Sequence, residues 1–96
     1  VSAVPFVQHE NKIVYEEEGV VLAEVDFPAV DEKTVDICHT FVDPSLRGKG
    51  IAGELMARAV AALRETGRKA LPTCPYAEHW FDEHPECGDV LCEDAQ

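Results

Sequence analysis

Val42-Asp43-Pro44-Ser45-Leu46-Arg47-Gly48-Lys49-Gly50-Ile51-Ala52 is the stretch that decides the fold. An apolar, β-rich segment ends at Asp43-Pro44. A glycine-spaced basic loop follows, and a segment with helical apolar spacing starts directly after it. Gly48 and Gly50 permit a sharp turn and a close approach of the backbone to a ligand. The first N–H groups of the following helix have no partner inside it and carry the positive end of its dipole. Arg47 and Lys49 add full charges. Strand, glycine loop and helix N-terminus in this order predict an anion pocket suited to a phosphate or pyrophosphate.

Two common nucleotide-binding patterns fit this loop badly. A P-loop needs Gly-x-x-x-x-Gly-Lys-Ser/Thr, and that spacing does not occur. Gly48-x-Gly50-x-x-Gly53 matches the dinucleotide fingerprint formally. However, no acidic ribose-binding residue follows at the end of a second parallel strand, and 96 residues are too few for the double winding.

Upstream of the loop, Val35, Ile37, His39 and Phe41 alternate with Asp36, Cys38 and Thr40, which reads as one strand. Val21, Ala23, Val25 and Phe27 alternate with Leu22, Glu24 and Asp26 in the strand before it. Shorter β-like runs cover residues 6–9 and 12–16, and Glu16-Glu17-Glu18-Gly19 reads as an acidic turn. The first half is therefore expected to be an antiparallel meander. Downstream, residues 48–65 read as a helix with Ala52, Leu55, Met56, Ala59, Val60 and Leu63 on one apolar stripe. Gly67 stops it. Ala70-Leu71 is a short buried strand, and Pro75 or its neighbour opens a second short helix carrying Tyr76, Trp80 and Phe81. His84-Pro85 ends that helix, and residues 89–96 form a short strand that then frays. The sum is an α+β (α/β three-layer) domain spanning residues 1–96. Its sheet is mixed and mostly antiparallel, with one parallel pair made by the strand–helix–strand crossover at the glycine loop.

Net charge is −11, from 8 basic and 19 acidic residues. That argues against non-specific nucleic-acid binding, which needs a positive face. It favours solubility and can attract a cationic substrate such as an amine. No apolar run approaches the length of a membrane span. No basic start followed by an apolar block is visible, so a cytoplasmic location is expected. Cys38, Cys74, Cys87 and Cys92 contain no Cys-x-x-Cys pair, so neither a disulfide scaffold nor a redox dithiol is indicated. His79, His84, Cys87 and Cys92 gather toward the C-terminus, but His-x4-His-x2-Cys-x4-Cys is not a common zinc spacing. They read as a solvated tail with incidental cysteines, and no metal is assigned.

Arg47-x-x-Gly50-x-Ala52 resembles the Gln/Arg-x-x-Gly-x-Gly/Ala loop of the GCN5-related N-acetyltransferase (GNAT) family, which cradles the pyrophosphate of coenzyme A. The segment from His39 to Ala52, followed by Leu71-Pro-Thr-Cys-Pro-Tyr and Phe81-Asp-Glu-His-Pro-Glu, is similar to the single-domain, roughly hundred-residue members of the YjdJ type. The resemblance runs from about Val14 to Glu86. It implies a trimmed GNAT fold that binds acetyl-CoA and moves acetyl to an amine. Such a protein would be a monomer or weak dimer and would use neither nucleic acid nor a membrane. The pantetheine arm would lie along Thr40, Phe41 and Val42 through main-chain contacts, in the manner of an added strand. The pyrophosphate would meet Arg47, Gly48, Lys49, Gly50, Ile51 and Ala52. Cys74 would lie near the acetyl end, where it can accept or orient the group. His39 can deprotonate Cys74 or an incoming amine. Full-size members carry further helices and strands that help bind the acceptor. Their absence here leaves a second expectation open, a coenzyme-A-binding sensor or partner module without transferase activity.

Overall fold

The computed structural model describes residues 6–92. Its first half is the expected meander: β1 (Phe6–Gln8), β2 (Lys12–Glu17) and β3 (Val20–Asp26) pair antiparallel in sequence order. β2 runs further than the sequence suggests. Glu16 and Glu17 stay in the ladder opposite Val21 and Val20, and the hairpin closes on Glu18-Gly19, at φ 51° and 80°. Positive φ at both central positions gives the primed turn that suits strand twist.

The strand expected between Val35 and Phe41 is two strands, β4 (Thr34–Asp36) and β5 (His39–Val42). The chain changes partner between them. Ile37 donates its N–H to Leu71 and accepts from Cys74, whereas Cys38 donates to Asp26. The passage from one ladder to the other slips the pleat by a residue. Val35 and Ile37 are fully buried, Cys38 and His39 are both exposed, and Thr40 and Val42 then face inward. His39 and Phe41 therefore do not share a face with Val35 and Ile37.

β5 completes a four-stranded sheet of order β1-β2-β3-β5. The predicted parallel pair is present, but β4 makes it, with β6 (Lys69–Leu71), in a separate two-stranded sheet. β5 is consequently an edge strand, and a wedge opens between it and β6. The expected C-terminal strand is reduced to one parallel bridge between Leu91 and Ala70, and residues 93–96 lie outside the described chain.

α1 (Ile51–Thr66) starts three residues later than its apolar spacing suggests, because Gly48 and Gly50 both sit in the left-handed region, at φ 83° and 75°. The predicted stripe packs on the inner face of the sheet, with Leu55, Met56, Ala59, Val60 and Leu63 buried against Ile13, Ala23, Val25 and Phe27. α2 (Pro75–Glu83) adds Ala77, Trp80 and Phe81 to the same core. The Arg64 guanidinium grips both Asp89 oxygens, at 2.9 and 2.7 Å, tying α1 to the 3-10 turn Pro85–Val90. Leu55 is 0% exposed. Leu55→Ala should remove about 3 kcal/mol of stability through lost burial and the cavity left behind. Urea unfolding followed by circular dichroism measures it. A change below about 1 kcal/mol would mean that the helix is not seated on the sheet as described.

Candidate active site

The glycine loop lies at the open end of the wedge. A short 3-10 turn, Pro44–Leu46, leads into it, with the Asp43 carboxylate accepting from the N–H and the hydroxyl of Ser45. Those two bonds and nearby Arg47 hold the Asp43 carboxyl below its ordinary range. Gly50 caps α1 without any side-chain hydrogen bond, and the first N–H bonded within the helix is that of Glu54, to the Gly50 carbonyl. The N–H groups of Ile51, Ala52 and Gly53 are thus the free donors of the first turn.

A groove of about 400 Å³ begins at these donors. Thr40, Val42, Arg47, Gly48, Gly50, Ile51 and Ala52 line it, as do Leu46, Gly53 and Tyr76. The sequence reading had also placed Phe41, through its main chain, and Lys49 at the coenzyme. The Phe41 side chain is turned to the outer face of the sheet, and the Lys49 side chain, between the two left-handed glycines, is exposed outside the groove. Gly53 stands one turn after Gly50 and was visible as a small residue at helical spacing. Tyr76 could not be read from any motif, because only the packing of α2 brings it to the groove.

The backbone of β5 alternates in a way that matters here. Asp43 donates to Leu22, so Phe41 and His39, two and four residues back, turn their backbone groups toward β3. Those of Thr40 and Val42 point into the wedge, where no strand among the described residues pairs with them.

Cys74 is not itself a lining residue; it touches the groove through Thr40. It is the N-cap of α2 and is 8% exposed. Its Sγ lies 3.6 Å from Thr40 Oγ1. Burial by itself pushes the thiol up. Hydrogen bonds from the Ala77 N–H, the Thr40 hydroxyl, the Tyr76 N–H and the Thr40 N–H outweigh it and bring the thiol below its ordinary value. A helix N-terminus and donors aimed at sulfur favour thiolate in this way. Tyr76 behaves oppositely: burial and then Glu83 raise its phenol, so it remains a proton donor.

His39 is not beside Cys74. The pleat slip at Cys38 turns it to the outer face, next to Glu24 and Asp26, while Thr40 takes the position facing the sulfur. The C-terminal histidines and cysteines do not converge either. His84 stacks on Trp80 at 4.1 Å and donates from Nδ1 to the Trp80 carbonyl, His79 pairs with Glu83, and Cys87 is in the core.

A GCN5-related N-acetyl-transferase family model matches residues 11–90. A GCN5-like N-acetyltransferase candidate from Staphylococcus aureus, solved by NMR, superposes with a TM-score of 0.78 at 30% identity, over 96% of this chain and 91% of that one. Rv2747 from Mycobacterium tuberculosis, solved in complex with CoA, superposes with a TM-score of 0.60 at 18% identity, over 91% of this chain and 61% of that one. Among curated proteins, Protein NATD1 of Xenopus tropicalis is 41% identical over 56 residues, 58% of this chain. The match spans about half of that relative's length, 51%. With the glycine loop, the wedge and the helix N-terminus in place, the chain belongs to the GCN5-related N-acetyltransferase family.

Proposed function

We propose that this chain binds acetyl-CoA in the groove and transfers the acetyl group to an amine with the help of Cys74. The observation that carries the reading is the shared wedge. The backbone edge of Thr40 and Val42, unpaired among the described residues, lines the groove whose mouth holds the free N–H groups of α1, and the Cys74 sulfur stands 3.6 Å from the hydroxyl of the lining residue Thr40. The pyrophosphate sits against the first turn of α1 and Arg47. The pantetheine arm runs along β5, pairing with Thr40 and Val42 as an added strand. The thioester then reaches Thr40 and Cys74.

In the transfer, the Cys74 thiolate attacks the acetyl carbonyl carbon, the carbon–sulfur bond to the coenzyme breaks, and the coenzyme departs as a thiolate that takes up a proton. An unprotonated amine next attacks the Cys74 thioester. It keeps the acetyl group as an amide, its displaced N–H proton passes to solvent water, and sulfur is released as thiolate. Thr40, not His39, is the side chain that stabilises this sulfur.

Two measurements test the reading. Calorimetry with CoA should show saturable binding, and Arg47→Ala should weaken it about tenfold or more, roughly 1.5–3 kcal/mol, because hydrogen bonds between guanidinium and phosphate are charge-assisted. Unchanged affinity in that variant would move the pyrophosphate away from the loop. CoA release from acetyl-CoA should rise when amines are added. Binding without release across a panel of primary amines would leave a coenzyme-binding module and remove the transferase.

A further inference from the structure

We infer that Glu24, Asp26 and His39 form a binding site for a divalent first-row transition-metal ion on the outer face of the sheet. Glu24 and Asp26 are two residues apart on β3 and share one face. His39 stands directly opposite Asp26 in the β3–β5 register. One donor atom from each of the three lies within 4.8 Å of the others, and no other group of three or more His, Cys, Asp or Glu side chains comes together this way among the described residues. The partner change at Cys38 creates the site, because without that slip His39 would face inward with Ile37.

The donor set is two carboxylates and one imidazole, the combination that suits Mn, Fe, Co or Zn with open coordination positions. Asp26 also supplies an independent observation. Its Oδ1 is shielded from solvent and has no N–H or hydroxyl donor, and the Asp26 carboxylate lies within hydrogen-bond reach of the Glu24 carboxyl, so the two must share a proton or a cation. A shielded carboxylate oxygen without a donor is costly, and a cation beside it removes the cost. Lys12 is the nearest protein cation in the register, opposite Asp26 on β2, yet neither carboxylate forms an ion pair with it or with any other side chain among the described residues. Donors around one ion must come to about 3 Å from one another, since metal–ligand bonds are near 2.0–2.2 Å. Rotamer changes of a half-buried Glu24 and an exposed His39 provide that closure, while the β3–β5 ladder holds the three Cα positions. The site lies on the sheet face opposite Thr40 and Val42, so it does not depend on coenzyme binding.

Mn²⁺ is the probe of choice, because it favours oxygen and imidazole donors over the four thiols. The experiment uses the full chain freed of metal. Titration followed by the electron paramagnetic resonance of free Mn²⁺ should show one equivalent bound. Paramagnetic broadening in a ¹⁵N-resolved NMR spectrum should centre on Glu24, Asp26 and His39. Glu24→Gln and His39→Ala should each weaken binding at least tenfold, and Glu17→Gln in the acidic hairpin and Arg47→Ala in the groove should leave it unchanged. Broadening centred on Glu16 to Glu18, or no saturable binding below millimolar Mn²⁺, would overturn the assignment. So would equal affinity in wild type and His39→Ala. The broadening map of the wild-type chain decides the matter even where a variant folds poorly.

Discussion

Gly50→Val should abolish coenzyme A binding while the chain remains folded. Gly50 holds φ 75° as the N-cap of α1, and a Cβ added there meets no atom within 4 Å. The new side chain would therefore leave the core undisturbed and stand in the groove, beside the free N–H groups of Ile51, Ala52 and Gly53. A branched residue in the left-handed region costs roughly 1–3 kcal/mol, which a domain of ordinary stability survives. The same strain can be produced elsewhere as a control. Gly67 ends α1 at φ 72°, also with open space around its Cβ, and it does not line the groove. Gly67→Val should lose comparable stability and bind CoA normally. Calorimetry at a coenzyme concentration that saturates wild type should show no heat for Gly50→Val and full heat for Gly67→Val. Equal binding by the two variants would place the pyrophosphate away from the helix N-terminus.

What could be read from the sequence follows from local chemistry. The glycines of the loop, the α1 stripe and the turn at Gly67 each carry their signal within a few residues, and each stands where it was expected. The division of residues 34–42 between two ladders carries no such signal. Val35 through Phe41 alternate without a glycine or proline, and Cys38 is an unremarkable strand residue. The switch is a matter of which neighbour receives each hydrogen bond: Leu71 and Cys74 on one side of Ile37, Asp26 on the other. That switch opens the wedge, gives Thr40 rather than His39 to the sulfur, and turns His39 to Glu24 and Asp26. Lys49 shows the same limit on a smaller scale. Its charge is visible in the sequence, but the two left-handed glycines on either side decide where the side chain goes, and it stays outside the groove.

Cys74→Ser should abolish acetylation of the protein by acetyl-CoA and slow transfer to an amine, while CoA binding persists. Wild type should gain the mass of one acetyl group, labile to hydroxylamine, on Cys74. The other thiols make this a sharp comparison, because accessibility and reactivity are predicted to run in opposite directions. Cys38 is exposed, yet desolvation, Asp36 and Asp26 raise its thiol, and a raised thiol supplies little thiolate near neutral pH. Cys74 is buried, yet its donors lower it. A non-specific acylating agent should mark Cys38 or the half-buried Cys92 first, whereas acetyl-CoA should mark Cys74. The sign of the pH dependence follows. The thiolate fraction of Cys74 rises through a midpoint below that of an unperturbed cysteine, so labelling should reach half its maximum at lower pH than for a free thiol such as N-acetylcysteine. Thr40→Val removes the hydroxyl donor and leaves the Thr40 N–H, so the midpoint should move upward without loss of CoA affinity. Full turnover by Cys74→Ser would sink the covalent route, leaving the acetyl group to pass directly to the amine. A labelling midpoint at or above that of the free thiol would show that burial, not the ring of donors, governs this sulfur.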